Sequence, residues 1–193
     1  MRLLVGFVSL VLFSTVAIGT NTTESLPSLN TPLQHPRIPL NETVYEGVRK
    51  TMKALRSAAF RELQATPSIG STTNPEDLTS VRLLFSIGRG TLEMQMSDVW
   101  GIWDYPHMSL EIPPEGNNVL PARIAMDVVV ADELMKRAGW VGAYSAVYLI
   151  WPQGLSLGKE QPYYCFMMER GGPETVYVGT NDGSVATRLP VTD

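Results

Sequence analysis

Cys165 sits in the stretch Glu160 to Arg170 (EQPYYCFMMER) among two tyrosines and a phenylalanine, and it is the only thiol in the chain. A thiol nucleophile needs a depressed pKa and a base within hydrogen-bonding reach, most often histidine. Only His35, in a proline-rich stretch, and His107, just before an alternating segment, could serve. The residues around Cys165 read as a strand, where a free cysteine behaves as a small buried hydrophobe. A buried thiol is therefore the expectation, with a Cys165–His107 dyad and an intermolecular disulfide as the alternatives.

The other chemistries have less to work with. Two distant histidines and one cysteine cannot supply the usual nitrogen and sulfur ligands, so no metal site is expected. An oxygen-ligand site at Asn181-Asp182-Gly183 competes with a tight turn, and the turn is preferred because no calcium-type acidic loop surrounds it. Asp98, Asp104 and Glu111 flank a tryptophan-rich segment and could form the paired carboxylates of a glycoside hydrolase. No nucleophile elbow, P-loop or dinucleotide fingerprint is read in the chain, and no cofactor is expected. The segment VWGIWDYPH is the preferred binding feature: Trp100, Trp103 and Tyr105 fall outside clean strand alternation, beside Gly101 and before His107. Exposed aromatics there would anchor a partner or stack on a glycan, and core packing is the competing fate of each.

The elements that must position these residues follow from periodicity. Val44, Val48, Met52, Leu55, Ala59 and Leu63 recur at steps of three and four, which predicts an amphipathic helix running toward Ala65 and Pro67. Thr43 and Glu46 have the spacing of a capping box at its start. From Leu78 the period becomes two: Val81, Leu83, Phe85 and Ile87, then Leu92, Met94 and Met96 after Gly88-Arg89-Gly90, predict a hairpin with glycine at the turn. Met108, Leu110 and Ile112 predict a third strand. A second helix is expected over MDVVVADELMKRAGW, capped by Asp127 and closed by Gly139, with a strand at Val128 to Val130 as the competing reading. AVYLIW, YYCFMM, ETVYVG and SVATRL predict three or four further strands. The fold class is thus α+β, two helices packed on antiparallel sheet, with two halves (41–116 and 117–193) that suggest a duplicated helix-plus-three-strand unit.

Composition places this domain. Arg2, an apolar run to Ile18 and Ala17-x-Gly19 form the pattern of a secretory signal peptide over residues 1–19, with an uncleaved anchor as the alternative. No later segment is apolar for long enough to cross a bilayer. Residues 20–40 are rich in Pro, Ser and Thr and read as a flexible arm, leaving 41–193 as a single domain. Asn21 and Asn41 open N-x-Thr sequons and are candidate glycosylation sites. A net charge of −4 gives no basic patch for nucleic acid. One cysteine excludes an intramolecular disulfide, so stability must come from burial and sheet pairing.

Ala138-Gly139-Trp140, Trp151-Pro152, Pro162-Tyr163-Tyr164-Cys165-Phe166 and the Val176 to Val185 turn give residues 126–187 a resemblance to small secreted fungal proteins of unknown function. Element order and the closing turn also resemble PepSY-type and cystatin-like modules, which implies inhibitory or regulatory binding but carries over no contact residue. The combined expectation is a secreted, extracellular, monomeric and non-enzymatic protein, effector-like or inhibitor-like. Its partner would be an extracellular protein or glycan. A small secreted hydrolase or carbohydrate-binding protein using Asp104 or Glu111 near Trp103 is the second reading. A structural wall or surface protein is the third.

Overall fold

A computed structural model describes residues 37–109, 118–153, 160–169 and 175–187. The apolar run 1–19, the arm up to residue 36 with Asn21 and His35, and residues 110–117 with Glu111 lie outside these residues. Helix α1 spans Leu40–Ala54 and is followed by β1 (Ala59–Pro67), β2 (Leu78–Ile87), β3 (Gly90–Gln95) and β4 (His107–Ser109). Helix α2 spans Val128–Arg137 and is followed by β5 (Tyr144–Ile150), β6 (Tyr163–Met168), β7 (Thr175–Gly179) and β8 (Val185–Ala186). All eight strands form one sheet in the order β4-β3-β2-β1-β5-β6-β7-β8, with every neighbouring pair antiparallel. The α+β class is as expected. Among the described residues each half contributes a helix and four strands, one more than expected for the first half and within the three or four expected for the second, and each spreads outward from its own first strand at the centre of the sheet.

The extra strand comes from the segment read as the end of the first helix. The helix stops at Ala54, Leu55 is extended, and Ala59–Pro67 runs between β2 and β5. Its pairing with β2 carries a bulge between Phe60 and Glu62. A bulge inserts one residue and shifts the phase of the alternation. Buried Phe60 and Leu63 therefore stand three apart, a helical step, although both face the core from a strand.

The start of α1 also differs from the expectation. Leu40, the last residue of the predicted arm, is its first helical residue, so Thr43 lies inside the helix and is buried. The capping box does not form, and Glu46 pairs with Arg49 at 2.7 Å instead. Helix α2 follows the sequence closely. Asp127 caps it by accepting the Val129 N–H at 3.0 Å, and Gly139 takes a φ of +96° just past its end. Gly88 (φ +57°) turns the β2–β3 hairpin.

The core lies between the helices and one face of the sheet. A row of side chains crosses seven strands in register, Met94, Leu83, Leu63, Leu149, Tyr164, Val178 and Val185, and the first six are buried. Val44, Val48 and Thr51 of α1 and Val128, Ala131 and Met135 of α2 close over that face. Each large apolar side chain so buried contributes about 1.5 to 3 kcal/mol of transfer free energy. The opposite face has a different character: Glu93, Arg82, Gln64 and Tyr148 reach across β3, β2, β1 and β5 as a ladder of one ion pair, Glu93 to Arg82, and two hydrogen bonds, Arg82 to Gln64 and Gln64 to Tyr148. Met108, predicted to continue the apolar face, is exposed on the edge strand β4. No helix among the described residues is long and apolar enough to cross a membrane.

Candidate binding surface

The segment from Ser97 to Pro106 links β3 to the edge strand β4, and its shape is set by its own backbone bonds. Ser97 Oγ accepts the Val99 N–H, Ile102 N–H donates to Val99 O at 3.0 Å, and Ser97 N–H donates to Ile102 O at 2.8 Å. Gly101 supplies the positive φ of +84° that this tight loop requires. Asp104 N–H then donates to Gln95 O at 2.9 Å, which fastens the loop to the end of β3.

The two tryptophans point into the protein. Trp103 is 6% exposed, wedged between α1 and the sheet, with Nε1 donating to Thr43 O at 3.0 Å. Gly47 makes the space for it, since a Cβ there would stand 2.7 Å from the indole. Lys50 Nζ donates to Trp103 O at 2.6 Å and ties the loop to α1 a second time. Trp100 is half-buried, donates Nε1 to Ile38 O at 2.9 Å, and carries the Arg37 guanidinium 3.3 Å over its ring. Arg37 also donates to Leu78 O; its burial pushes its pKa down against the raising influence of Glu76, Asp77 and Asp127.

What projects outward is Tyr105, 86% exposed, together with Val99 at 63% and Ile102 at 56%. Lys50 Nζ lies 5.2 Å from the Tyr105 ring. Between this loop and α1 runs an open groove of about 360 Å³ lined by Glu46, Arg49, Lys50, Lys53, Gly101, Ile102 and Trp103. His107 is exposed on β4 opposite Glu93 and does not line it. Of the four predicted binding residues, then, Tyr105 faces solvent beside the groove, Trp103 forms part of its floor, Trp100 anchors the loop from behind, and His107 stands apart. The contribution of α1 was not anticipated. Its signal was the triplet Arg49, Lys50 and Lys53, which falls on the side of the helix away from Val44, Val48 and Thr51.

The alternative chemistries can be placed as well. Cys165 is 3% exposed on β6, with burial and then Glu62 pushing its thiol pKa up. Four strands separate β6 from β4, so at the ~4.8 Å strand spacing His107 is roughly 24 Å away and no dyad forms. Asp98 and Asp104 are exposed on the loop and outside the groove, and Trp103 is too enclosed to be a sugar platform. Asp182 Oδ1 accepts from Ser184 N–H at 3.0 Å and from buried Gln161 Nε2 at 2.8 Å, so Asn181-Asp182-Gly183 is a braced turn. No cluster of metal-ligating side chains occurs among the described residues. Gly154-Leu155-Ser156-Leu157-Gly158 spells the letters of a nucleophile elbow, which sequence reasoning passed over. It lies outside the described residues. Asn41 is half-buried in the first turn of α1, and its Oδ1 accepts the Glu42 N–H at 2.8 Å.

No protein-family model matches the chain, and no curated protein is similar to it. A crystal structure of a candidate lipoprotein from Clostridium difficile 630 shares the fold, with a TM-score of 0.52 at 12% identity, over 80% of this chain and 93% of that one. At that identity the likeness concerns the fold alone.

Proposed function

We propose that this chain is a secreted, monomeric, non-enzymatic binding protein, effector-like or inhibitor-like, and that the loop from Val99 to Tyr105 with the adjoining face of α1 is its contact surface. The observation that carries this reading is the contrast within one short loop. Trp100 and Trp103 are locked by hydrogen bonds and packing, while Val99, Ile102 and Tyr105 are held out in water on the rigid base so formed. Apolar and aromatic side chains presented from a fixed backbone lose little entropy on binding, which is what interface anchors require. The N-terminal run 1–19 and the sequons at Asn21 and Asn41 support an extracellular setting, and a lipoprotein description for the structural neighbour is compatible with it.

The full chain expressed in a eukaryotic host should appear in the medium cleaved after Gly19, as read by intact mass. Used as bait in extracellular fluid, it should retain a partner that the Ile102→Ala/Tyr105→Ala variant loses at least tenfold. Both positions are exposed, so that variant should melt within about 0.5 kcal/mol of the parent. Equal capture by the two proteins would refute the assignment of this surface.

A further inference from the structure

Resting on that reading of the loop, we infer that the groove between α1 and Gly101–Trp103 receives an acidic segment of a partner protein, its carboxylates set against Lys50 and Lys53 and a neighbouring apolar side chain against Ile102 and Tyr105. The charge balance of the groove is opposite to that of the molecule. The chain carries −4 overall, yet the groove is lined by Arg49, Lys50 and Lys53 against the single carboxylate of Glu46. Glu46 is matched to Arg49 at 2.7 Å, which leaves the two lysines uncompensated. Lys50 spends one of its three donors on Trp103 O at 2.6 Å, and this fixes its ammonium at the mouth of the groove. Lys53 has no hydrogen bond or ion pair among the described residues. An exposed lysine has no structural need of a neighbour, but two held on one wall of a concave site in an acidic protein form a local positive field.

Shape decides which anion. The groove is concave and bounded by a helix on one side and a loop on the other, with a volume in the range that encloses side chains. A flat bilayer cannot enter it. A sulfated glycan would gain little from Ile102 and Tyr105 and would call for a denser row of cations than two free lysines. An acidic peptide with interspersed apolar residues uses both halves of the surface.

The test is fluorescence anisotropy with the full mature chain and a fluorescein-labelled glutamate-rich peptide carrying leucines. The glutamine-substituted peptide, heparin, and vesicles of phosphatidylserine in phosphatidylcholine serve as the other arms. The acidic peptide should bind at least tenfold tighter than its glutamine counterpart, more weakly as salt rises, and at least tenfold more weakly to Lys50→Glu/Lys53→Glu. Lys53→Glu alone, which disturbs no bond within the described residues, should weaken binding in the same direction and guards against misfolding of the double variant. Equal binding of acidic and glutamine peptides, indifference to Lys53→Glu, or binding of heparin or vesicles without the peptide would each overturn the proposal. If Ile102→Ala/Tyr105→Ala abolishes partner capture while Lys53→Glu leaves it intact, the contact surface stands and only its preference for acidic partners fails.

Discussion

The Asn41 N–H donates to Asp127 Oδ2 at 3.0 Å, across 86 residues of sequence. The other oxygen of the same carboxylate caps α2 through the Val129 N–H at 3.0 Å. One side chain therefore serves the N-termini of both helices, where unsatisfied amides and the positive ends of two helix dipoles converge. Replacing an ordinary N-cap by alanine costs about 1 kcal/mol, so Asp127→Ala should cost about 2 kcal/mol or somewhat more. Asp127→Asn keeps one accepting oxygen and should fall between the two. Urea unfolding of the three proteins checks the order, and a loss of only about 1 kcal/mol for Asp127→Ala, the cost of the α2 cap alone, would show that α1 does not depend on it.

Alkaline pH should destabilise the fold. Cys165 and Tyr164 both titrate above their ordinary values, chiefly because burial opposes the charged form, with Glu62 adding to the first and Asp127 to the second. Unfolding returns them to ordinary values of about 8.5 and 10. Above those values the folded state holds more protons than the unfolded one, so unfolding free energy must fall as pH rises. The stabilisation is complete below about pH 8, and each group then contributes a slope approaching ~1.4 kcal/mol per pH unit. Unfolding midpoints measured from neutral pH upward should decline, and Cys165→Ala should remove the earlier part of the decline. For the same reason the native thiol should resist a thiol reagent at neutral pH and react once urea unfolds the chain.

Where the sequence was read correctly, the determining contacts were local. Asp127 and Gly139 bracket α2 within its own segment, and the Gly88 turn joins two strands of unbroken alternation. It was misread where the cause lies elsewhere in the fold. The bulge after Phe60 imposed a three-residue step on β1, and only the pairing with β2 reveals it. The capping signal at Thr43 was overridden by an acceptor from the other half of the chain. The candidate surface shows the same division. Aromatic clustering located the loop, but which ring turns inward depends on the gap at Gly47 and on Thr43 O, 60 residues away.

Gly47→Ala tests that gap. Alanine is the better helix former by about 1 kcal/mol, yet its Cβ would lie 2.7 Å from the Trp103 indole and 2.8 Å from Leu83 Cδ1, both buried. Overpacking of this kind costs about 1 to 3 kcal/mol, so the net effect should be destabilising by about 1 kcal/mol. In a Trp103→Leu background the contact with the indole is gone and only that with Leu83 Cδ1 remains, so the same substitution should cost less than it does in the parent. A double-mutant cycle from thermal melts gives the coupling, and a penalty unchanged by Trp103→Leu would mean that the helix–indole contact is not its source.

The far-face ladder predicts an asymmetry between its two charged members. Glu93 has a side chain only 8% exposed and faces Arg82 Nη1 at 3.7 Å, while Arg82 is 24% exposed and donates its other Nη to Gln64 Oε1 at 2.5 Å. Gln95 Nε2 donates to Glu93 at 2.5 Å. Arg82→Met strands a nearly buried carboxylate with a neutral donor, which should cost about 2 to 3 kcal/mol, less than the ~3–5 kcal/mol seen for wholly buried pairs because the guanidinium reaches water. Glu93→Gln leaves the partly hydrated guanidinium behind and keeps an acceptor for Gln95, so its cost should be near 1 kcal/mol. Adding Glu93→Gln to Arg82→Met removes the stranded charge, and the double variant should be more stable than Arg82→Met alone. Urea unfolding of the set measures this directly: if the double variant is no more stable than Arg82→Met, the penalty arises from lost packing of the arginine stem rather than from an unpaired carboxylate.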